Sequence, residues 1–176
     1  FNLDDTLWLT RKKSCDARSY YTNPKVYRRA FEVDWSRCNT ERFRSMIAKD
    51  DDGGAGALDE EMDEIKEVLR GHATLIYASF AYYCLFSDSD DRFVMSEAGY
   101  NAWVRDCELA EPESKACKLS DLDTIFIAAN WEDKSSKGQE SKAINEANAD
   151  RALMRFEYLQ ILVRVAVAKY LKGCLL

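Results

Sequence analysis

Glycine and proline are scarce, seven and two in 176 residues. Collagen-like repeats and Pro-rich linkers need far more of both. A sandwich of many short strands needs frequent turn pairs, and these are missing too. Histidine is nearly absent: His72 stands alone, so a His-rich metal site is excluded. Long apolar runs are lacking as well. The most apolar stretch, residues 159–171, is interrupted by Gln160, Arg164 and Lys169 and is too short to span a bilayer, so no membrane partner is expected. The chain begins with Phe1 and shows no charged n-region, apolar stretch and cleavage site. No signal peptide is expected in a chain read as processed or as one piece of a longer protein. There is no surplus of positive charge either. Lys and Arg number 25 against 31 Asp and Glu, a net charge of −6, which opposes binding to nucleic acid.

What is present points to a folded, soluble body. Hydrophobic residues make up 47 % and charged residues 32 %, too apolar for a disordered tail. The length suits one compact domain or two very small ones. The six cysteines are Cys15, Cys38, Cys84, Cys107, Cys117 and Cys174. None form a CxxC pair, and their spacings match no zinc module. They read as free, mostly buried thiols of a reducing, cytoplasmic compartment. Loop length leaves a Cys107–Cys117 disulfide open.

The apolar spacing is helical almost throughout. Residues 1–23 carry no clear period and read as an extended arm, with a basic cluster at Arg11, Lys12 and Lys13. A first helix follows Asn23-Pro24, with Val26, Tyr27, Ala30, Phe31 and the pair Asp34-Trp35 as its stripe. Asn39 or Thr40 caps a second, whose apolar face is Phe43, Met46 and Ile47. Residues 50–56 hold three aspartates and three glycines and read as a breaker. One long helix is then expected over 58–86. Acidic residues at its start suit the helix dipole. Its stripe would run Ile65, Val68, Leu69, His72, Leu75, Ile76, Ser79, Phe80, Tyr83, with Gly71 a tolerated weak point. Tyr82 falls outward by this spacing. Ser96 caps a helix to about 109, with Tyr100, Trp103, Val104 and Cys107 inward. Ser120 caps another, with Leu122, Ile125, Phe126 and Ala129 inward. Residues 131–150 form a polar insertion. A last helix over 154–171 buries Phe156, Leu159, Leu162, Val163, Ala166, Val167 and Tyr170. Domain boundaries follow: 1–56 as arm and two helices, 57–176 as the main helical domain.

Catalytic motifs are missing. There is no GxGxxG, GxxxxGK[ST], HExxH or GxSxG, and the paired acids at Glu60-Glu61 and Asp63-Glu64 read as a solvated helix face. A Cys–His nucleophile would need His72, which sits on an apolar stripe. The chain is read as a non-enzyme. The Asp clusters invite a calcium reading, which needs oxygen ligands at loop positions 1, 3 and 5, glycine at 6 and Glu at 12. Starting at Asp51, positions 3, 5 and 12 are Gly53, Ala55 and Met62. Starting at Asp88, position 3 is Asp90, but 5, 6 and 12 are Arg92, Phe93 and Gly99. A third loop, set by Met154 at position 8, has Ala147, Ala149 and Arg151 at 1, 3 and 5. No loop keeps its ligands, so no cofactor is expected beyond weak calcium at Asp51, Asp88 and Asp90.

The hydrophobic frame of such loops persists. Phe93-Val94-Met95-Ser96 and Leu153-Met154-Arg155-Phe156 each lead into a helix, and a short β contact would join them. The pieces Met95-Ser96, Trp103-Val104-Arg105-Asp106-Cys107, Leu119-Ser120-Asp121-Leu122-Asp123-Thr124-Ile125-Phe126 and Met154-Arg155-Phe156-Glu157-Tyr158-Leu159, with residues 166–170, resemble the core domain of the p25-alpha (tubulin polymerization promoting) proteins. They cover under half of the chain. The insertion at 131–150 and the helices before Met95 depart from that pattern. The whole chain is also similar to EF-hand-like segments of large protist flagellar proteins. The resemblance implies an all-α, EF-hand-like pair of helix–loop–helix units with degenerate loops, preceded by the N-terminal helices and arm. It also implies a structural adaptor of the ciliary or axonemal microtubule cytoskeleton, with tubulin or axonemal proteins as partners. Tubulin is acidic, so direct contact would need Arg11, Lys12, Lys13, Arg28 or Arg29. Tyr82 is a further candidate contact. A calcium-responsive switch and a small subunit of an unrelated large complex are the alternatives.

Overall fold

The computed structural model describes residues 24–48, 54–86, 93–131 and 152–172, and over these the protein is all-α apart from one two-stranded sheet. Helix α1 spans Pro24–Cys38, α2 Glu41–Ile47, α3 Gly54–Gly71 and α4 Ala73–Cys84. Strand β1 (Met95–Ser96) leads into α5 (Glu97–Asp106), and α6 covers Leu119–Trp131. Strand β2 (Ala152–Leu153) leads into α7 (Arg155–Ala166), which continues as a π-helical run over Val167–Lys172. The arm at 1–23, the aspartates at 50–52 and 88–91, most of the insertion at 131–150, Cys15 and Cys174 lie outside the described residues.

Two helix starts are set by hydroxyl caps. Thr40 Oγ1 accepts the Phe43 N–H at 3.2 Å and Ser96 Oγ the Gly99 N–H at 3.2 Å, as their sequence positions predict. Two others use a carboxylate from the third helical residue, reaching back to the cap N–H. Asp121 accepts from Lys118 N at 2.8 Å, and Glu157 from Met154 N at 2.6 Å. Ser120 is therefore not the cap of α6. It lies inside the first turn, and its carbonyl accepts the Thr124 hydroxyl.

The expected β contact forms, antiparallel, with Met95 opposite Leu153 and Ser96 opposite Ala152. It ties the unit α4–β1–α5 to the unit α6–β2–α7. Helix α7 is central, buried on nearly every side and packed on α1 and α6. Phe31, Trp35 and Phe43 of α1 and α2 join Phe80, Trp103, Phe126 and Leu159 in one core cluster.

The single helix expected over 58–86 is two helices. It starts earlier, at Gly54, and takes in part of the expected breaker, although each helical Gly costs roughly 1 kcal/mol against Ala. It breaks at His72, whose φ of −107° and ψ of 8° leave the helical well. Gly71 has no side chain to hold that turn, and the His72 N–H closes a tighter bond to Leu69 O at 3.1 Å. The inward register still runs through the break: Met62, Ile65, Leu69, Ala73, Ile76, Phe80, Tyr83. Val68, His72 and Leu75, expected inward, are exposed. From residue 71 to 86 no charged residue marks the outer face, so the spacing admits Leu75 beside Ile76.

Two further burial expectations fail. Cys107 is exposed, because α5 ends at Asp106 and the chain turns away through Glu108, at φ 49°. Ala166 and Tyr170 are exposed, and Ala168 is buried instead. The wider turns after Ala166 shift the inward phase of the last helix.

Buried phenols mark this core. Tyr100 O–H donates to Leu122 O at 2.9 Å, and Tyr158 shares a hydrogen bond with Ser79 Oγ at 3.1 Å. Burial pushes the Tyr158 phenol up to about 12 and raises Tyr100 and Tyr77 well above their ordinary 10.0. Below pH 10 folded and unfolded chains both hold these protons, and the stability is fully present. Above pH 10 the unfolded chain releases them first. Stability then falls by about 1.4 kcal/mol per pH unit for each such tyrosine, the Tyr158 share being exhausted near pH 12. Tyrosinate absorbance followed beside the urea midpoint should show these phenols ionising only as the chain unfolds. Full ionisation of all nine tyrosines in a still-folded chain would refute this.

Candidate partner-binding surface

No Asp, Glu, Lys or Arg occurs between residues 71 and 86. A helix with that composition is ordinarily buried on all sides. Helix α4 buries one face, through Ala73, Ile76, Tyr77, Phe80, Tyr83 and Cys84. Its other face stays open. Leu75 is 69 % exposed, Tyr82 55 % and Leu85 59 %, and Val68 one helix earlier is 63 % exposed. Tyr82 is steadied edge-on by Tyr83 and Phe86, with ring centroids at 5.0 and 5.5 Å. Its predicted outward position is the observed one.

Arg28 and Arg29 are exposed on α1. Arg28 borders a groove of about 560 Å³ between α1 and the α3–α4 junction, whose walls include Tyr27, Phe31, Arg70 and Thr74. Arg70 is engaged with Glu67. Arg28 and Tyr82 do not form one site. Arg28 shares its groove with Thr74, eight residues and so about 12 Å along the helix from Tyr82. Arg11, Lys12, Lys13, Asp51, Asp88 and Asp90 lie outside the described residues. Among the described residues, no group of three His, Cys, Asp or Glu side chains could hold a metal ion.

A buried polar cluster escaped the sequence reading. Asp34, 4 % exposed, accepts the Tyr77 hydroxyl at 2.7 Å and Arg155 Nε at 2.5 Å on Oδ2, and Arg155 Nη2 at 3.3 Å on Oδ1. The guanidinium also lies 4.5 Å from the centre of the Tyr77 ring. Burial, then the Asp34 charge, raises the Tyr77 phenol. Burial opposes the charge on Arg155, but Asp34 outweighs it and holds the guanidinium above its ordinary pKa. With three donors on one carboxylate, the cluster has the chemistry of a clamp between α1, α4 and α7, not of a general base. Asp34 stands on the expected stripe of α1; its partners Tyr77 and Arg155 were not foreseen.

Cys117 does not offer a primed nucleophile either. Cys107 and Cys117 are free thiols, so the Cys107–Cys117 bridge does not form. Cys117 Sγ donates to Leu109 O at 3.3 Å, and burial raises its pKa, which disfavours the thiolate. No helix among the described residues is long and apolar enough to cross a membrane. Comparison with known protein families, curated proteins and solved structures gives no match.

Proposed function

We propose that the chain is a non-enzymatic adaptor of a ciliary, microtubule-associated assembly, holding a protein partner on an EF-hand-like pair of helical units. The observation that carries the binding role is the uncovered apolar face of α4, centred on Leu75, Tyr82 and Leu85. A contiguous exposed apolar face beside a well-packed core is the ordinary mark of a contact surface. The strand contact between Met95–Ser96 and Ala152–Leu153 supports the paired-unit reading. The ciliary setting rests only on the resemblance of residues 95–171 to the p25-alpha core.

Co-sedimentation of the full chain with axonemal doublets and with bare microtubules, at two salt concentrations, tests this. Pelleting with doublets alone is the expected result, since a body of net charge −6 gains no general attraction to acidic tubulin. Salt-sensitive pelleting with both would move the contact to tubulin itself, through basic residues such as Arg28 and Arg29. Pelleting with neither would end the cytoskeletal reading.

A further inference from the structure

The outer face of α3 and α4 carries a charge pattern as well as an apolar one. The inward register is continuous through His72, so the opposite face is continuous too. Along it, Glu60, Asp63, Glu64 and Glu67 are exposed, followed by Val68, Gly71, Leu75, Ala78, Tyr82 and Leu85, all exposed. From Val68 onward the spacing alternates three and four residues, the seam spacing of helices that pack side by side. Large side chains at 68, 75 and 82 alternate with Gly71 and Ala78, which leaves notches for a partner's side chains. The helix dipole does not account for the acids. Helix α3 begins at Gly54 and has none in its first turn, and dipole stabilisation fades beyond that turn. Among the described residues, no ion pair involves Glu60, Asp63 or Glu64.

We propose that this face, residues 60–85, binds an amphipathic helix of another protein, one with an apolar stripe along α4 and Lys or Arg side chains along α3. The inference rests on the adaptor reading and names the chemistry of its partner. Charge complementarity selects this occupant over a second copy. A parallel second copy would set the acidic stretch of α3 against itself. An antiparallel copy would set it against an equally apolar, uncharged α4, with no cation to meet it.

The probe is a fluorescent helical peptide of about 25 residues, the length that runs alongside residues 60–85 at 1.5 Å per residue. It carries leucines at seam spacing and lysines in one half. A twin with glutamates for the lysines is the comparison. With the full chain, the basic peptide should bind at least about tenfold more tightly than its twin, and salt should narrow the gap. Leu75→Glu and Tyr82→Glu should each weaken binding at least about tenfold with an unchanged circular dichroism spectrum. Leu75→Gln, which adds no charge, serves if either misfolds. Glu60→Lys with Glu64→Lys should reverse the preference between the peptides. A photo-crosslinking p-benzoylphenylalanine at position 82 should capture the basic peptide. No binding, equal binding of the twins, binding that ignores Leu75→Glu, or capture of a second copy or of residues 1–23 would each overturn the inference. The adaptor reading fails separately. Doublets that pellet wild type and Leu75→Glu alike leave that reading and remove this face. Peptide binding without doublet pelleting does the reverse.

Discussion

Gly99→Ala is expected to lower stability by about 3 kcal/mol and the melting temperature by roughly 6–12 °C for a chain of this size. Gly99 is buried in the first turn of α5. A β-carbon there would stand 2.4 Å from the Tyr83 carbonyl oxygen and 3.2 Å from Met95 Cγ. The methionine can swing aside. The carbonyl belongs to the last turn of α4 and moves only if the helix moves. Alanine gains roughly 1 kcal/mol over glycine inside a helix, but the clash is the larger effect and decides the sign. The contact sets how closely α5 approaches α4. Gly71→Ala is the control. Nothing lies within 4 Å of the position a β-carbon would take at Gly71. That variant should gain about 0.5–1 kcal/mol. Urea titrations of the two variants settle the matter. A Gly99→Ala chain as stable as wild type would mean that α4 and α5 do not meet there.

The elements the sequence revealed are those where cap and stripe agree. Thr40 and Ser96 announce their helices by residue type, and each is followed three residues later by the N–H it accepts. Phe43, Tyr100 and Leu122 stand beside polar residues, which mark the opposite face, and they are buried. The Met95 and Leu153 frames lead straight into helices, and they pair. On α4, Ile76, Phe80 and Tyr83 face inward and Tyr82 outward as expected, and only Leu75 is misplaced, because no charged residue marks the outer face; the same lack of charge makes that open face a candidate site. The carboxylate caps of Asp121 and Glu157 are harder to see, because the residues they cap, Lys118 and Met154, are not capping types. The π-helical run after Ala166 shifts the phase without any glycine or proline to announce it. The Asp34 cluster joins residues 121 positions apart, a pairing that no local pattern encodes.

Asp34→Ala is expected to lose about 2–4 kcal/mol. The carboxylate is the shared acceptor of Tyr77 and Arg155, so its removal strands a buried phenol and a cation together. Breaking a fully buried ion pair costs about 3–5 kcal/mol. The Arg155 side chain is 41 % exposed and can turn to water, which trims the upper end. The phenol cannot, and its lost hydrogen bond to a charged group is worth about 1.5–3 kcal/mol. Replacing all three residues at once, by Asp34→Leu, Tyr77→Phe and Arg155→Met, should cost less than Asp34→Ala alone. No charge or donor is then left without its partner, and apolar residues of similar volume often match a buried ion pair. That inequality separates a clamp whose parts need one another from three side chains that merely touch. Tyr77 lies on the inner face of α4, opposite Leu75 and Tyr82. The triple variant should therefore keep its peptide affinity, while Asp34→Ala loosens the helix that presents that face. Chemical denaturation of the single and triple variants provides the comparison. An Asp34→Ala variant within about 0.5 kcal/mol of wild type would show that α1 is held to α4 and α7 by its apolar contacts alone.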